Sequence, residues 1–339
     1  MRHPPLAPGW IDRPHRRIEI GDLALESGET LREAFVCCVL HGDEANLGDA
    51  AVLALTAIGS THHRLDFLIG PGAPLDTRRF CIVAIDALGN GLSSSPSNSV
   101  GQPGSDFPPI TIRDMVESQR RALDRLGIGQ LSAVVGASMG GMQALQWAVS
   151  HPARMDRVVA MTPMARTARW PQLLNELTRR ALFVDAACRV PRPRAEAMRL
   201  WVPLTQLVMS RTPSALEAMP SHQALTSWLD EAETDLGEHG PDPFDWCCQS
   251  RAYDAHNVGT TPGFGGDSAR ALARIDAEVL IAAPANDLYN PSFAARAAAN
   301  GIARARYVEL PGDDGHRSAS GVSAASTTAL GEALAAFLR

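Results

Sequence analysis

The stretch AVVGASMGGMQALQWA, residues 133–148, decides how this chain is read. The apolar run Leu131, Ala133, Val134 and Val135 predicts a short buried strand. Met142, Leu145, Gln146 and Val149 then fall at helical intervals until Pro152 stops the pattern. Between strand and helix lies Gly136-Ala137-Ser138-Met139-Gly140, a G-x-S-x-G motif that sets one serine in a sharp turn. Such a turn holds the serine oxygen clear of the backbone at the C-terminal end of a strand. Strand and helix pass so closely there that side chains two positions either side of the serine would clash, and glycine removes the clash. The helix N-terminus then offers backbone N–H groups to a developing oxyanion.

Working outward, strand-like and helix-like stretches alternate. AFVCCVLHG (34–42), AAVLALTA (50–57) and FCIVAIDALG (80–89) are short, apolar and bounded by Gly, Asn or Asp, and read as buried strands. TIRDMVESQRRALDRLGI (111–128) carries apolar residues at 112, 115, 122 and 126 opposite a charged face, and Gly127 ends it as an amphipathic helix. MDRVVAMTP (155–163), AEVLIAAPAND (277–287) and RARYVELPG (304–312) give further strands, and ASTTALGEALAAFLR closes the chain as a helix. This alternation predicts an α/β fold with a mostly parallel central sheet and helices on both faces. From 166 to 264 the strand signature lapses into broken helices such as WPQLLNELTRRALFVDAACR and ALEAMPSHQALTSWLDEA. The expected organisation is a core of residues 1–165 and 265–339 with a helical lid inserted at 166–264. There is no internal repeat, and the Ser-rich LSSSPSNS (92–99) reads as a structured loop.

With 339 residues, 45% of them hydrophobic, the chain can build one large domain with an insertion, or two domains. The net charge of −6, with Lys and Arg scattered, leaves no nucleic-acid footprint. No apolar run approaches the roughly 18 residues of a membrane helix, so no membrane partner is expected. MRHPPLAPGWIDRPHRR lacks the apolar segment of a secretory signal. The six cysteines include the adjacent pairs Cys37–Cys38 and Cys247–Cys248 but no C-x-x-C. They read as reduced buried thiols of a cytoplasmic protein, without a zinc or redox motif. GFGG (263–266) follows no strand and is not a phosphate cradle, and no cofactor is expected.

A serine hydroxyl needs a base to become a nucleophile, and the base needs an orienting acid. In this architecture the chain order is Ser, then Asp or Glu, then His. Asp287 lies just past the strand at 279–283, and His316 just past the strand at 306–310, both in loops at strand C-terminal ends where sites gather. Of the ten histidines only His316 has this placement. His151 reads as a charge partner for the end of the helix after Ser138, and His62 and His63 as pocket walls. Asp313 and Asp314 beside His316 raise a metal, which the lack of a second ligand set argues against. The oxyanion donors are expected at the backbone of Met139 and, in VLALTAIGSTHH (52–63), near Leu55 to Thr56.

The stretches LTAIGSTHH, LIGPGAPLDTRRFCIVAIDALGNGLSSSPSN, DFPPITIRDMVESQRRALDRLGI, VVGASMGGMQALQWAVSHPARMDRVV and LARIDAEVLIAAPANDLYNP resemble the homoserine O-acetyltransferase family of α/β-hydrolases. The resemblance covers about 50 to 160 and about 270 to 316. It implies an α/β-hydrolase fold, a Ser-Asp-His triad at Ser138, Asp287 and His316, and a lid-mediated homodimer. Family members that use homoserine follow the catalytic His with Asp, which holds the substrate amine; here Arg317 follows His316 as a substrate-pocket candidate. They also carry an Arg and a HxTYLS-like segment in the lid, and that segment is absent between 166 and 264. GNGLSSSPSN instead resembles a branch that includes short-chain ester hydrolases. The expected activity is hydrolysis of small acyl esters through an acyl-enzyme, with O-acyl transfer from acetyl-CoA as the alternative.

Overall fold

The computed structural model describes residues 3–339. Its centre is an eight-stranded sheet: β1 (Arg16–Ala24), β2 (Thr30–His41), β3 (Ala51–Leu55), β4 (Cys81–Ile85), β5 (Leu131–Ala137), β6 (Met155–Met161), β7 (Glu278–Pro284) and β8 (Ala305–Leu310). The spatial order is β1-β2-β4-β3-β5-β6-β7-β8. β1 pairs antiparallel with β2 and β2 antiparallel with β4, and every later pairing is parallel. The first strand, β1, is the part the apolar pattern misses. β1 alternates charged and buried residues, as suits an edge strand covered on one face only.

Every residue of β3 and β4 is buried, because helices cover both faces. Leu53, Leu55, Val83 and Val134 pack with α1 (Ile112–Arg125), α2 (Met139–Ser150) and α9 (Ser292–Asn300). Val52, Ala54, Ile82 and Val135, one residue out of step and so on the other face, pack with α10 (Ala324–Phe337). α1 opens with a capping box in which Thr111 and Asp114 satisfy each other's backbone N–H groups.

A helical segment, the one expected to act as a lid, leaves the core after β6 and returns before β7, and an isolated bridge between Arg166 and Asn257 ties its base. It comprises α3 (Arg169–Leu182), α4 (Arg194–Thr205), α5 (Pro213–Glu217), α6 (His222–His239) and α7 (Pro243–Ala255), and the short α8 (Ser268–Leu272) leads back to the sheet. α3, α4 and α7 share a small core of their own, with Trp201 edge-on to Trp246 at 4.8 Å. All six cysteines are free thiols. No helix is long and apolar enough to cross a membrane among the described residues. His151 differs from expectation. It caps α2, but burial beside Trp147 lowers its pKa and so disfavours the charged form that a partner for the helix end would need.

Candidate active site

Ser138 sits between β5 and α2 at φ 57° and ψ −123°, a conformation costly for any side-chain-bearing residue. The surroundings hold it there. Its N–H donates to the Met161 carbonyl at 2.9 Å, and its own carbonyl accepts from Met142 N–H at 3.0 Å. The motif glycines are required by contact. A Cβ on Gly136 would stand 2.2 Å from the Gly140 carbonyl oxygen, and one on Gly140 would stand 2.7 Å from that of Leu55.

His316 lies in the short turn Gly315–Ala319 after β8. Its Nε2 is 2.8 Å from Ser138 Oγ, and its Nδ1 is 2.8 Å from Asp287 Oδ2. Asp287 Oδ1 accepts backbone N–H groups from Tyr289 and Asn290, both at 2.8 Å. The Asp287 side chain is 0% exposed and that of His316 9%. Residues from the C-terminal ends of β5, β7 and β8 thus meet in one buried hydrogen-bonded line. Asp313 and Asp314 are engaged elsewhere: Asp313 takes the Thr212 hydroxyl and the Asn286 amide, and Asp314 the Ser323 and Ser326 hydroxyls.

Met139 is the first residue of α2, so its N–H has no acceptor within the helix. Leu55 ends β3 beside it, in register with Gly136. Thr56 is fixed from both sides: its Oγ1 accepts Ala87 N–H at 3.2 Å and its carbonyl accepts Gln143 Nε2 at 3.0 Å. Beyond it, the amides of Ala57, Gly59 and Ser60 are spent on Ser60 Oγ, Gln249 Oε1 and the Ala57 carbonyl. Arg317 is exposed and stands beside Arg64, Arg211 and Asp314, because successive residues of a tight turn point in different directions. His62 and His63 are buried with carboxylate partners, Asp86 and Asp66.

The structure adds residues that sequence reasoning passed over. Tyr253, on α7 of the lid, donates its hydroxyl to Asn290 Oδ1 and reaches Ser138 as well. Burial drives its phenol well above the usual value, so it stays a hydrogen-bond donor. Asn290 Nδ2 donates to the Thr162 carbonyl at 2.7 Å. Tyr289 stands edge-on to His316 at 5.0 Å, and its hydroxyl bonds Asn175 of α3. Asn290 follows Asp287 by three residues in NDLYNP, a spacing that could have flagged it. Tyr253 has no local signal, since only the folded lid brings it to the serine.

Residues 63–317 match the family described as the alpha/beta hydrolase fold. The chain belongs to the α/β-hydrolase fold family. A homoserine O-acetyltransferase from Symbiobacterium thermophilum is 32% identical over 337 residues, 87% of each chain, which sets the protein in the homoserine O-acetyltransferase-like group of these hydrolases. A homoserine O-succinyltransferase from Leptothrix cholodnii is 36% identical over 181 residues, and there the chain spans only 48% of the relative's length. Among solved structures, that of the acetyl esterase MekB superposes with a TM-score of 0.87 at 28% identity, covering 96% of both chains.

Proposed function

We propose that this α/β-hydrolase is a serine-triad hydrolase of small, uncharged acyl esters, acetyl esters foremost. The observation that carries the reading is the line Ser138 Oγ, His316 Nε2, His316 Nδ1, Asp287 Oδ2, with both links at 2.8 Å. Ser138 attacks the ester carbonyl while His316 takes its proton, and Asp287 holds the imidazole with its proton on Nδ1. The N–H groups of Met139 and of Leu55 or Thr56 receive the oxyanion. His316 then protonates the departing alcohol, and water activated by the same imidazole releases the acid.

A second reading, O-acyl transfer from a thioester to an amino-acid acceptor, draws support from the homoserine acyltransferase relatives. It needs an anion for the acceptor's ammonium. Two unit charges about 4 Å apart interact by roughly 4 kcal/mol at an effective dielectric of 20. After His316 stands Arg317, and Asp313 and Asp314 are tied to neutral donors, so that attraction has no evident source. The test runs p-nitrophenyl acetate hydrolysis beside thiol release from acetyl-CoA with homoserine. Ester hydrolysis without homoserine-dependent thiol release supports the hydrolase; O-acetylhomoserine formed at matching rates overturns it.

The proposed working form is a homodimer of cytoplasmic protein joined through the lid. Trp170, Leu173 and Leu177 lie on one face of α3 and are 50%, 54% and 38% exposed, an apolar stripe that a second copy would cover.

A further inference from the structure

The densest chemistry outside the site is a knot of imidazoles where the segment before β1 crosses the loop after β3. His62 Nδ1 bonds Asp86 Oδ2 at 2.9 Å, and His63 Nδ1 bonds Asp66 Oδ2 at 2.6 Å. These four side chains are no more than 2% exposed. Each aspartate also takes a backbone N–H, Asp86 from His62 at 2.9 Å and Asp66 from Ile11 at 2.7 Å. Acceptors so placed fix both imidazole protons on Nδ1 and leave each Nε2 a bare lone pair. His62 Nε2 is buried with no hydrogen-bond partner. His63 Nε2 faces His3 Nε2 at 3.0 Å, while Trp10 stacks on the His63 ring at 4.3 Å.

We infer that His3, His62 and His63 form a binding site for one divalent transition-metal ion of the zinc class. One ring nitrogen from each lies within 4.8 Å of the other two. Imidazole nitrogens on a tetrahedral ion, with Zn–N about 2.0 Å, stand roughly 3.3 Å apart. The His3–His63 pair is already close to that spacing, and only a modest closure brings in His62. The ring of His15 lies 4.7 Å from those of both His3 and His62, next in line for the fourth position. The aspartates behind His62 and His63 are the outer-shell partners that set the tautomer of metal-binding histidines. An all-imidazole set favours zinc, copper, nickel or cobalt over magnesium and calcium. No local spacing announces the site, because His3 and His62 are far apart in the chain. Its consequence is mechanical: a bound ion ties the segment before β1 to the turn His62–Leu68, directly after the loop proposed to carry an oxyanion donor.

The test uses full-length protein without a histidine tag, stripped by a chelator and titrated with Zn²⁺ against a chromophoric competitor, with Co²⁺ as the spectroscopic probe. Expected are one equivalent of Zn²⁺, tetrahedral Co²⁺ absorption in the visible, and a Zn²⁺-dependent rise in Tm. His3→Ala, which leaves the sheet and its core untouched, is expected to weaken binding at least tenfold and abolish the Tm rise; Asp66→Asn is expected to weaken it about 10- to 100-fold. His316→Ala is expected to bind as the parent does. Absence of stoichiometric binding, binding unchanged in His3→Ala, or binding lost in His316→Ala would each overturn the assignment, the last by placing the ion at the serine site.

Discussion

Replacing Asp287 by asparagine separates the orienting role of the carboxylate from its bulk. One oxygen accepts two backbone N–H groups, and the other faces His316 Nδ1. An asparagine has one oxygen to offer. Turned the wrong way, its NH₂ would confront two fixed backbone donors, so the oxygen stays with Tyr289 and Asn290 and the NH₂ points at His316. A donor there forces the imidazole to present a lone pair at Nδ1 and carry its proton on Nε2, 2.8 Å from Ser138 Oγ. In that tautomer it cannot accept the serine proton. The equivalent exchange in a serine protease lowers kcat about 10⁴-fold. At about 1.36 kcal/mol per decade this is roughly 5.4 kcal/mol of barrier. His316→Ala removes the base altogether and is expected to cost on the order of 10⁶. The assay is kcat/KM for p-nitrophenyl acetate, with Tm confirming that both variants fold. Asp287→Asn within tenfold of the parent would refute the reasoning, since it would mean that the acid does not set the tautomer.

Ser138→Gly is expected to abolish turnover yet raise stability by about 1 kcal/mol over Ser138→Ala, because glycine relieves the positive φ that alanine keeps; equal Tm values for the two would show that the turn is unstrained. Burial pushes the Asp245 carboxyl up to about 7 from an ordinary value of 3.8. The native state therefore keeps a proton that the unfolded chain gives up, and stability falls as pH rises from about 4 to about 7. Asp245→Asn, which can still bond the Ser97 N–H and hydroxyl, is expected to flatten that fall and gain on the parent at about pH 8; parallel Tm profiles would contradict it. Leu173→Glu with Leu177→Glu is expected to yield a monomer by sedimentation, and an unchanged dimer would place the interface elsewhere.

Much of the core was legible because it consists of strands buried on both faces, which read as plain apolar runs. The serine turn was legible for a steric reason, since Gly136 and Gly140 are positions where a methyl group has no room. Asp287 and His316 followed from their places at the ends of β7 and β8. β1 was not legible, because an edge strand with charges at alternate positions carries few apolar residues. The acid's support was hidden as well: Tyr253 and Asn175 reach Asn290 and Tyr289 only through the folded lid. The same holds for His3, Trp10 and His15, whose meeting with His62 and His63 is a product of tertiary structure.

Asn290 has a bearing on how material enters and leaves. Its N–H supports Asp287, its side-chain NH₂ grips the Thr162 carbonyl, and its Oδ1 holds Tyr253 of the lid. Swinging α7 outward would pull on the same residue that steadies the acid. A hinged flap built this way would switch its own base off each time it opened. On the proposed mechanism, the position of the lid and the readiness of the base are therefore one coordinate, joined through Asn290.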